Sequence, residues 1–372
     1  MDTMNYPIID ADAHVIESDD TWDFLEPAEA KYRPKLVQNP DKPGYGTSSG
    51  IGYWEVNGER GPIALQVESE DDFESRAQLS SRRVGTPRES RRMQDTKKRI
   101  AHLDELGIDI QVLHATIWLL NLTLEPDGEA ALARAWNKWL AATTEDHTDR
   151  LRWSCLVPSS VPEEAKNQMR WSKERGACSI FLRPMEGEKW VTDPAFYPIL
   201  EEAEKLDLSV AIHIANANPA NVAMYNNLAA GGQTQAWGIF RVPTVQSCMF
   251  LIMSEIPKLF PKLRWGFIES AAQWVPWVHN ESVRRMETLG LPIPENVFEA
   301  SNIYITCQTD DDLPWILKYS GENSLMIGTD YGHSDPSSDI DSINFVRNRD
   351  DLSRETKERI LYHNPAALYG LN

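Results

Sequence analysis

Short apolar runs recur along the chain, each separated from the next by a stretch with helical periodicity, and this alternation limits the fold more than any other feature. The runs fall at residues 8–13, 109–113, 151–157, 177–182, 208–212, 263–268, 302–306 and 324–328. Each is brief and bounded by polar residues, Gly or Pro. That is the pattern of strands buried on both faces of a parallel sheet. Between them Leu132, Trp136, Trp139 and Leu140 recur at helical spacing, and Phe196, Leu200, Ala203 and Leu206 make a second stripe. Ser160-Val161-Pro162-Glu163 reads as a capping box with proline in the first turn. Eight strands alternating with helices predict an α/β fold, a closed (β/α)8 TIM barrel. A single domain of 372 residues, 1–372, is ordinary for such a barrel with insertions.

The alternation breaks between 41 and 91. Pro43, Gly44, Gly46, Gly50 and Gly58 are followed by a charged run near residues 68–82. This reads as an insertion after strand 1, with a small hairpin at 52–63. Long loops at the C-terminal ends of barrel strands surround the active site, so the insertion is expected over the barrel mouth. A second irregular stretch, 216–242, follows the fifth strand.

Composition excludes some partners. The net charge of -19 repels a nucleic-acid backbone and an anionic membrane. No apolar stretch approaches membrane-spanning length, and no basic segment leads into an apolar one at the start. Cys155, Cys178, Cys248 and Cys307 form no CxxC pair, as expected of reduced, buried thiols in a cytoplasmic protein. A small-molecule substrate and a homodimer are expected.

Ionisable residues gather where predicted strands end. The first run closes Asp10-Ala11-Asp12-Ala13-His14, and alternate residues of a strand share a face, so Asp12 and His14 can hold one metal ion. The fifth ends at His213, within an apolar run where an unpaired imidazole is costly. The sixth ends at Glu269, which suits a metal ligand, a partner for an arginine or a helix cap. The eighth runs Gly328-Thr329-Asp330-Tyr331-Gly332-His333. Asp330 is placed to bind metal or to accept a proton from metal-bound water. In a TIM barrel all these positions converge on one mouth. The mixed donor set suits one or two divalent ions per chain, zinc, iron or manganese.

With these residues in view, the chain resembles the amidohydrolase-2 family, in the branch that includes aminocarboxymuconate semialdehyde decarboxylase and resorcylate decarboxylases. The carriers are IDADAH, VAIH, FPKLRWGFIES, GTDYGHSDP and the closing HNPAALYG. The resemblance implies that Asp12 and His14 are the strand-one ligand pair and His213 the strand-five ligand. It implies that Asp330 is a ligand and proton acceptor. One position departs: Glu269 stands where the decarboxylases usually carry a histidine.

The glutamate adds an anionic donor, and facing carboxylates call for cations. On that basis the expected activity is hydrolysis of a carbonyl-type bond, an ester, thioester, amide or C–C bond, by metal-activated water, with a dinuclear centre possible. Asp330, His333 and Glu269 are the expected catalytic residues. Arg183, His114, Trp118 and Tyr331 are the expected substrate contacts, with Tyr225 and Trp237 as further aromatic lining. Two other readings stand beside it: a metal-dependent, non-oxidative decarboxylase of an aromatic or enoic acid, and a catalytically silent binding barrel.

Overall fold

The computed structural model describes residues 6–38, 52–60, 70–225 and 232–371. Eight strands form one sheet in chain order: β1 (Ile9–Val15), β2 (Ile110–Ala115), β3 (Leu151–Leu156), β4 (Ala177–Leu182), β5 (Ser209–His213), β6 (Trp265–Ile268), β7 (Ile303–Cys307) and β8 (Leu325–Ile327). Every neighbouring pair is parallel. The sheet closes through backbone bonds past the end of β8. Thr329 N and Asp330 N donate to Asp12 O at 3.1 and 2.9 Å, and His14 N donates to Tyr331 O at 2.8 Å. The expected (β/α)8 barrel is the observed fold.

The principal helices lie outside the strands: α1 (Thr96–Leu106), α2 (Pro126–Thr144), α3 (Pro162–Lys173), α4 (Tyr197–Lys205), α5 (Val242–Met253), α6 (Val275–Leu289) and α7 (Leu313–Ser320). The stripe read from the sequence faces inward in α2, where Leu132, Trp136, Trp139 and Leu140 are buried. The capping box at α3 is not formed. Val161 holds the N-cap position, and the Ser160 hydroxyl and N–H both go to Glu129 instead. A nearby carboxylate competes with the helix end for the serine and wins.

Strand β1 carries the local irregularity that matters most. Its register against β2 slips between Asp10 and Ala13, which places one extra residue there. Such bulges re-aim side chains beside functional sites. Beyond it His14 pairs in register with His114.

Part of the insertion is described. Strands Lys35–Gln38, Gly52–Val56 and Glu59–Arg60 form an antiparallel sheet, turned at Asn57 and Gly58 with φ of 52° and 80°. Asn-Gly is the pair that such a turn favours. The hairpin expected at 52–63 is present through Arg60, and 61–63 lie outside the described residues. Trp54 packs its ring edge against Trp22, 6.4 Å between centroids. The end of the insertion is tied to the barrel: Ile16 N donates to Arg91 O and Ile340 N to Arg83 O.

The sequence expectation about apolar stretches is corrected at α5. The helical run Thr234–Met253 has 20 residues and mean hydropathy 1.2, so its length and composition reach those of a membrane-spanning helix; half of it is buried inside the fold. A π-turn and the α5 residues merge here into a single apolar run, which inspection by shorter segments overlooks.

Gly328 is the tightest point of the β1–β8 seam. A Cβ there would fall 2.3 Å from Asp12 Cβ and 2.9 Å from both Cα and N of Asp12. Backbone cannot yield as a side chain does. Gly328→Ala is therefore expected to cost about 1–3 kcal/mol, read as a thermal midpoint several degrees lower. An unchanged midpoint would show that the seam can open freely.

Candidate metal centre at the barrel mouth

The β1 bulge, the seam and the ends of β5 and β6 bring five side chains to one place. His14 Nε2 lies 3.0 Å from His213 Nε2, 3.7 Å from Asp12 Oδ1, 3.6 Å from Glu269 Oε2 and 3.6 Å from Asp330 Oδ1. His213 Nε2 is 3.5 Å from both Asp12 Oδ1 and Glu269 Oε2. All five residues are buried. Asp12 Oδ1, Glu269 Oε2 and Asp330 Oδ1 accept no hydrogen bond among the described residues. Buried carboxylate oxygens are rarely left so. Separations of this size are the edges of a coordination shell whose bonds are about 2.1 Å long. The donor set fits one divalent cation.

Two of these carboxylates sit on unusual backbone. Glu269 has φ of 65° and Asp330 has φ of 50°, the left-handed region that non-glycine residues seldom adopt. Each is pinned. Glu269 N donates to Thr306 Oγ1 at 2.6 Å, and Asp330 N to Asp12 O. Ser338 Oγ donates to Asp330 Oδ2 at 2.6 Å, which leaves Oδ1 turned to the centre.

The imidazoles are also oriented by neighbours. With its Nε2 lone pair on the centre, His14 has Nδ1–H left for Thr116 Oγ1, 3.3 Å away. Thr116 Oγ1 also lies 2.7 Å from His333 Nε2, and His333 Nδ1 stands 2.8 Å from Asp330 Oδ1 without hydrogen-bonding to it. His213 directs Nδ1–H at Ile214 O, 3.4 Å away, and stacks on Phe181. Thr116 is held by Glu17, a buried carboxylate that accepts from Thr116 N, Ile117 N and Trp136 Nε1. Beneath β1, Asp10 accepts from Thr329 N and Oγ1 and from Gln111 Nε2, while Arg99 bridges Gln111 Oε1 and His14 O. Thr116, Thr306, Ser338, Glu17 and Asp10 were not singled out from sequence, since a hydroxyl or acid that works by holding its neighbours carries no periodic signal.

The electrostatics agree with a cation-binding role. Burial pushes the Asp12 carboxyl up to about 6. Burial, and then the facing Asp330, Asp335 and Asp12, hold Glu269 well above the usual carboxylate range. Burial, then Asp335 and Asp12, do the same to Asp330. Burial, with His333 and His213 next, pushes His14 well below the usual histidine range, and burial lowers His213 to about 3. The histidines are thus neutral, as ligands must be, and the carboxylates take up protons unless a cation replaces them.

The amidohydrolase family model matches residues 9–371. The chain belongs to this family. A 2-amino-3-carboxymuconate-6-semialdehyde decarboxylase from Dictyostelium discoideum is 23% identical over 293 residues, 75% of this chain and 77% of the relative. An amidohydrolase from Mycobacterium avium subsp. paratuberculosis has a similar structure, with TM-score 0.77 and 18% identity over 99% of this chain and 100% of that one. A 5-carboxyvanillate decarboxylase from Novosphingobium aromaticivorans, complexed with manganese and 4-hydroxy-3-methoxy-5-nitrobenzoic acid, matches with TM-score 0.67 and 19% identity over 99% of this chain and 97% of that one.

These findings overturn the expectation of a hydrolase. The curated relative is a decarboxylase, and a decarboxylase stands among the structural neighbours. Glu269 Oε2 approaches the same two imidazole nitrogens that Asp12 Oδ1 approaches.

The expected substrate contacts of this amidohydrolase fare unevenly. Every guanidinium nitrogen of Arg183 is engaged. Nε and Nη2 fork onto Glu186 at 2.9 and 2.6 Å, and Nη1 reaches Asn121 Oδ1 at 3.2 Å. It clamps the loop after β4 and lines the cavity there together with Trp118. Tyr331 is fully buried, stacked under Arg99 and bonded to His102 Nδ1 at 2.9 Å, and does not line the mouth. His114 is fully buried against His14 and His213 and reaches Tyr369 Oη at 3.5 Å. Trp118 lines a cavity of about 370 Å³ with Leu122, Leu124, Glu129 and Phe196, at the ends of β2 to β4; no cluster donor lines it. Trp237 is 61% exposed.

Asp12 supplies a pH test. Its carboxyl titrates at about 6 in the metal-free fold, against an ordinary 3.8. A raised value means the fold binds the extra proton, so stability is lost as pH rises between 3.8 and about 6. A cation removes the need for that proton. Stabilisation by manganese, read as the difference in thermal midpoint between loaded and chelator-treated protein, should grow from about pH 5 to about pH 8. Equal differences at both would contradict the assignment.

Proposed function

We propose that this amidohydrolase is a non-oxidative, metal-dependent decarboxylase of an aromatic or enoic carboxylic acid, with one divalent ion per chain, acting in the cytoplasm. The observation that carries the reading is the single centre: three buried carboxylate oxygens without hydrogen-bond donors face two imidazole nitrogens. The decarboxylases among its relatives, one of them holding manganese, support it. Four buried free cysteines suit a reducing compartment.

Asp12, His14, His213 and Asp330 would hold the ion, with Glu269 completing the shell. When bound, the ion would supply Lewis-acid stabilisation of negative charge on the substrate. The remaining work belongs to the chain. The reaction exchanges carbon dioxide for a proton on the same carbon, so it needs an acid near that carbon and no water as reactant. Asp330 and His333 are that pair. His333 Nδ1 is 2.8 Å from Asp330 Oδ1, and its Nε2 is 2.7 Å from Thr116 Oγ1. General acid catalysis of this kind contributes about 10²–10⁴-fold.

Manganese-loaded protein incubated with 5-carboxyvanillate or 2-amino-3-carboxymuconate semialdehyde in deuterium oxide tests the reading. Expected are one carbon dioxide per molecule consumed and one deuterium on the vacated carbon. Asp330→Asn should lower the rate by about 10²-fold or more. Oxygen uptake from water into an acid product, with no carbon dioxide, would refute it.

A further inference from the structure

The loops after β2, β3 and β4 enclose the cavity of about 370 Å³, and none of Asp12, His14, His213, Glu269 and Asp330 lines it. Its volume falls within the range of small-molecule sites, about 300–1,000 Å³. The walls are ordered. The loop after β4 folds back as a two-stranded hairpin, Met185–Glu186 against Lys189–Trp190, turned at Gly187 with φ of 58°. Helix α2 opens with Pro126 and presents Glu129 in its first turn. Trp118, Leu122 and Phe196 form a buried apolar wall. An aromatic and aliphatic wall with a few polar groups is the usual lining of a ligand pocket.

The buried polar wall is short of positive charge. Two carboxylates, Glu129 and Glu186, share one guanidinium, that of Arg183. Glu186 takes the fork, from Nε at 2.9 Å and from Nη2 at 2.6 Å. Glu129 has the remainder. Its Oε2 accepts from Ser160 N at 3.2 Å and from the Ser160 hydroxyl. Its Oε1 has only the Ser159 hydroxyl at 3.4 Å, and lies 3.5 Å from Arg183 Nη2. The Glu129 side chain is 12% exposed. Burial raises its carboxyl above the ordinary range; Arg183 opposes that rise and Glu186 adds to it. At the rim Glu188 and Lys189 are exposed and of opposite sign, so they leave the imbalance of the buried wall as it stands.

A buried carboxylate with one weakly engaged oxygen, set beside Trp118 and Phe196, offers what an organic cation needs. The charge finds an anion, and the body finds apolar and aromatic surface. We propose that this cavity is a second ligand site, separate from the metal centre, which takes a small primary ammonium ion carrying an aromatic or branched apolar body. The ammonium donates to Glu129 Oε1 and to the Ser159 hydroxyl, and the body lies against Trp118, Leu122 and Phe196. The site does not depend on the decarboxylase reading.

Binding tests it without turnover. Manganese-loaded, full-length protein is titrated by calorimetry at about pH 8, where such amines are charged, with 2-phenylethylamine, 2-phenylethanol and 3-phenylpropionate. All three carry a phenyl ring on a two-carbon arm and differ in the charge at its end. Wild type should bind the amine at least about tenfold tighter than the alcohol, and the carboxylate weakest of the three. Glu129→Gln should bring the amine to within about twofold of the alcohol and leave the alcohol's affinity unchanged. Glu129→Asp, which keeps the charge, should keep part of the preference. Thermal midpoints of both variants report whether the fold is intact. No binding of the amine, equal binding of amine and alcohol, or tighter binding of 3-phenylpropionate by wild type would overturn the proposal. So would a full amine preference kept in Glu129→Gln.

Discussion

The carbonyl oxygen of Asp12 holds this structure together at the point where it matters. It accepts the N–H groups of both Thr329 and Asp330, and so joins the first strand to the end of the last. The bond closes the barrel and sets Asp330 beside Asp12 in one step. It also explains the positive φ of Asp330, since a residue that must turn its N–H back to β1 while aiming its carboxylate at the centre has few other conformations. Gly328 is required because the two backbones meet there with no room for a Cβ.

From that seam the chemistry arises by proximity. Carboxylates and imidazoles without solvent are forced into contact, and their titration is displaced in opposite directions by burial. Such an arrangement is unfavourable in the empty protein and favourable around a cation. The surrounding hydroxyls of Thr116, Thr306 and Ser338 occupy the atoms that do not face the centre, which leaves the correct lone pairs directed inward.

Much of this was legible in the sequence. The eight apolar runs pointed to the barrel because strands buried on both faces admit no polar alternation, and the donors Asp12, His14, His213, Glu269 and Asp330 were visible because ionisable residues at the ends of such runs are conspicuous. The hydrolase reading built on Glu269 was the error. Residue type alone says a carboxylate is present, while the choice between one centre and two depends on a side-chain direction set by a left-handed backbone and by Thr306. The pairing of Arg183 was not legible: its partner Glu186 lies three residues on, in a turn that sequence does not reveal.

Metal stoichiometry tests the central claim most directly. Full-length protein saturated with manganese, freed of loose ions and analysed by elemental analysis against protein concentration should hold one ion per chain, and His213→Ala should hold none. Two ions per chain, or one retained without His213, would contradict a single centre built on the two imidazoles and the β1–β8 seam.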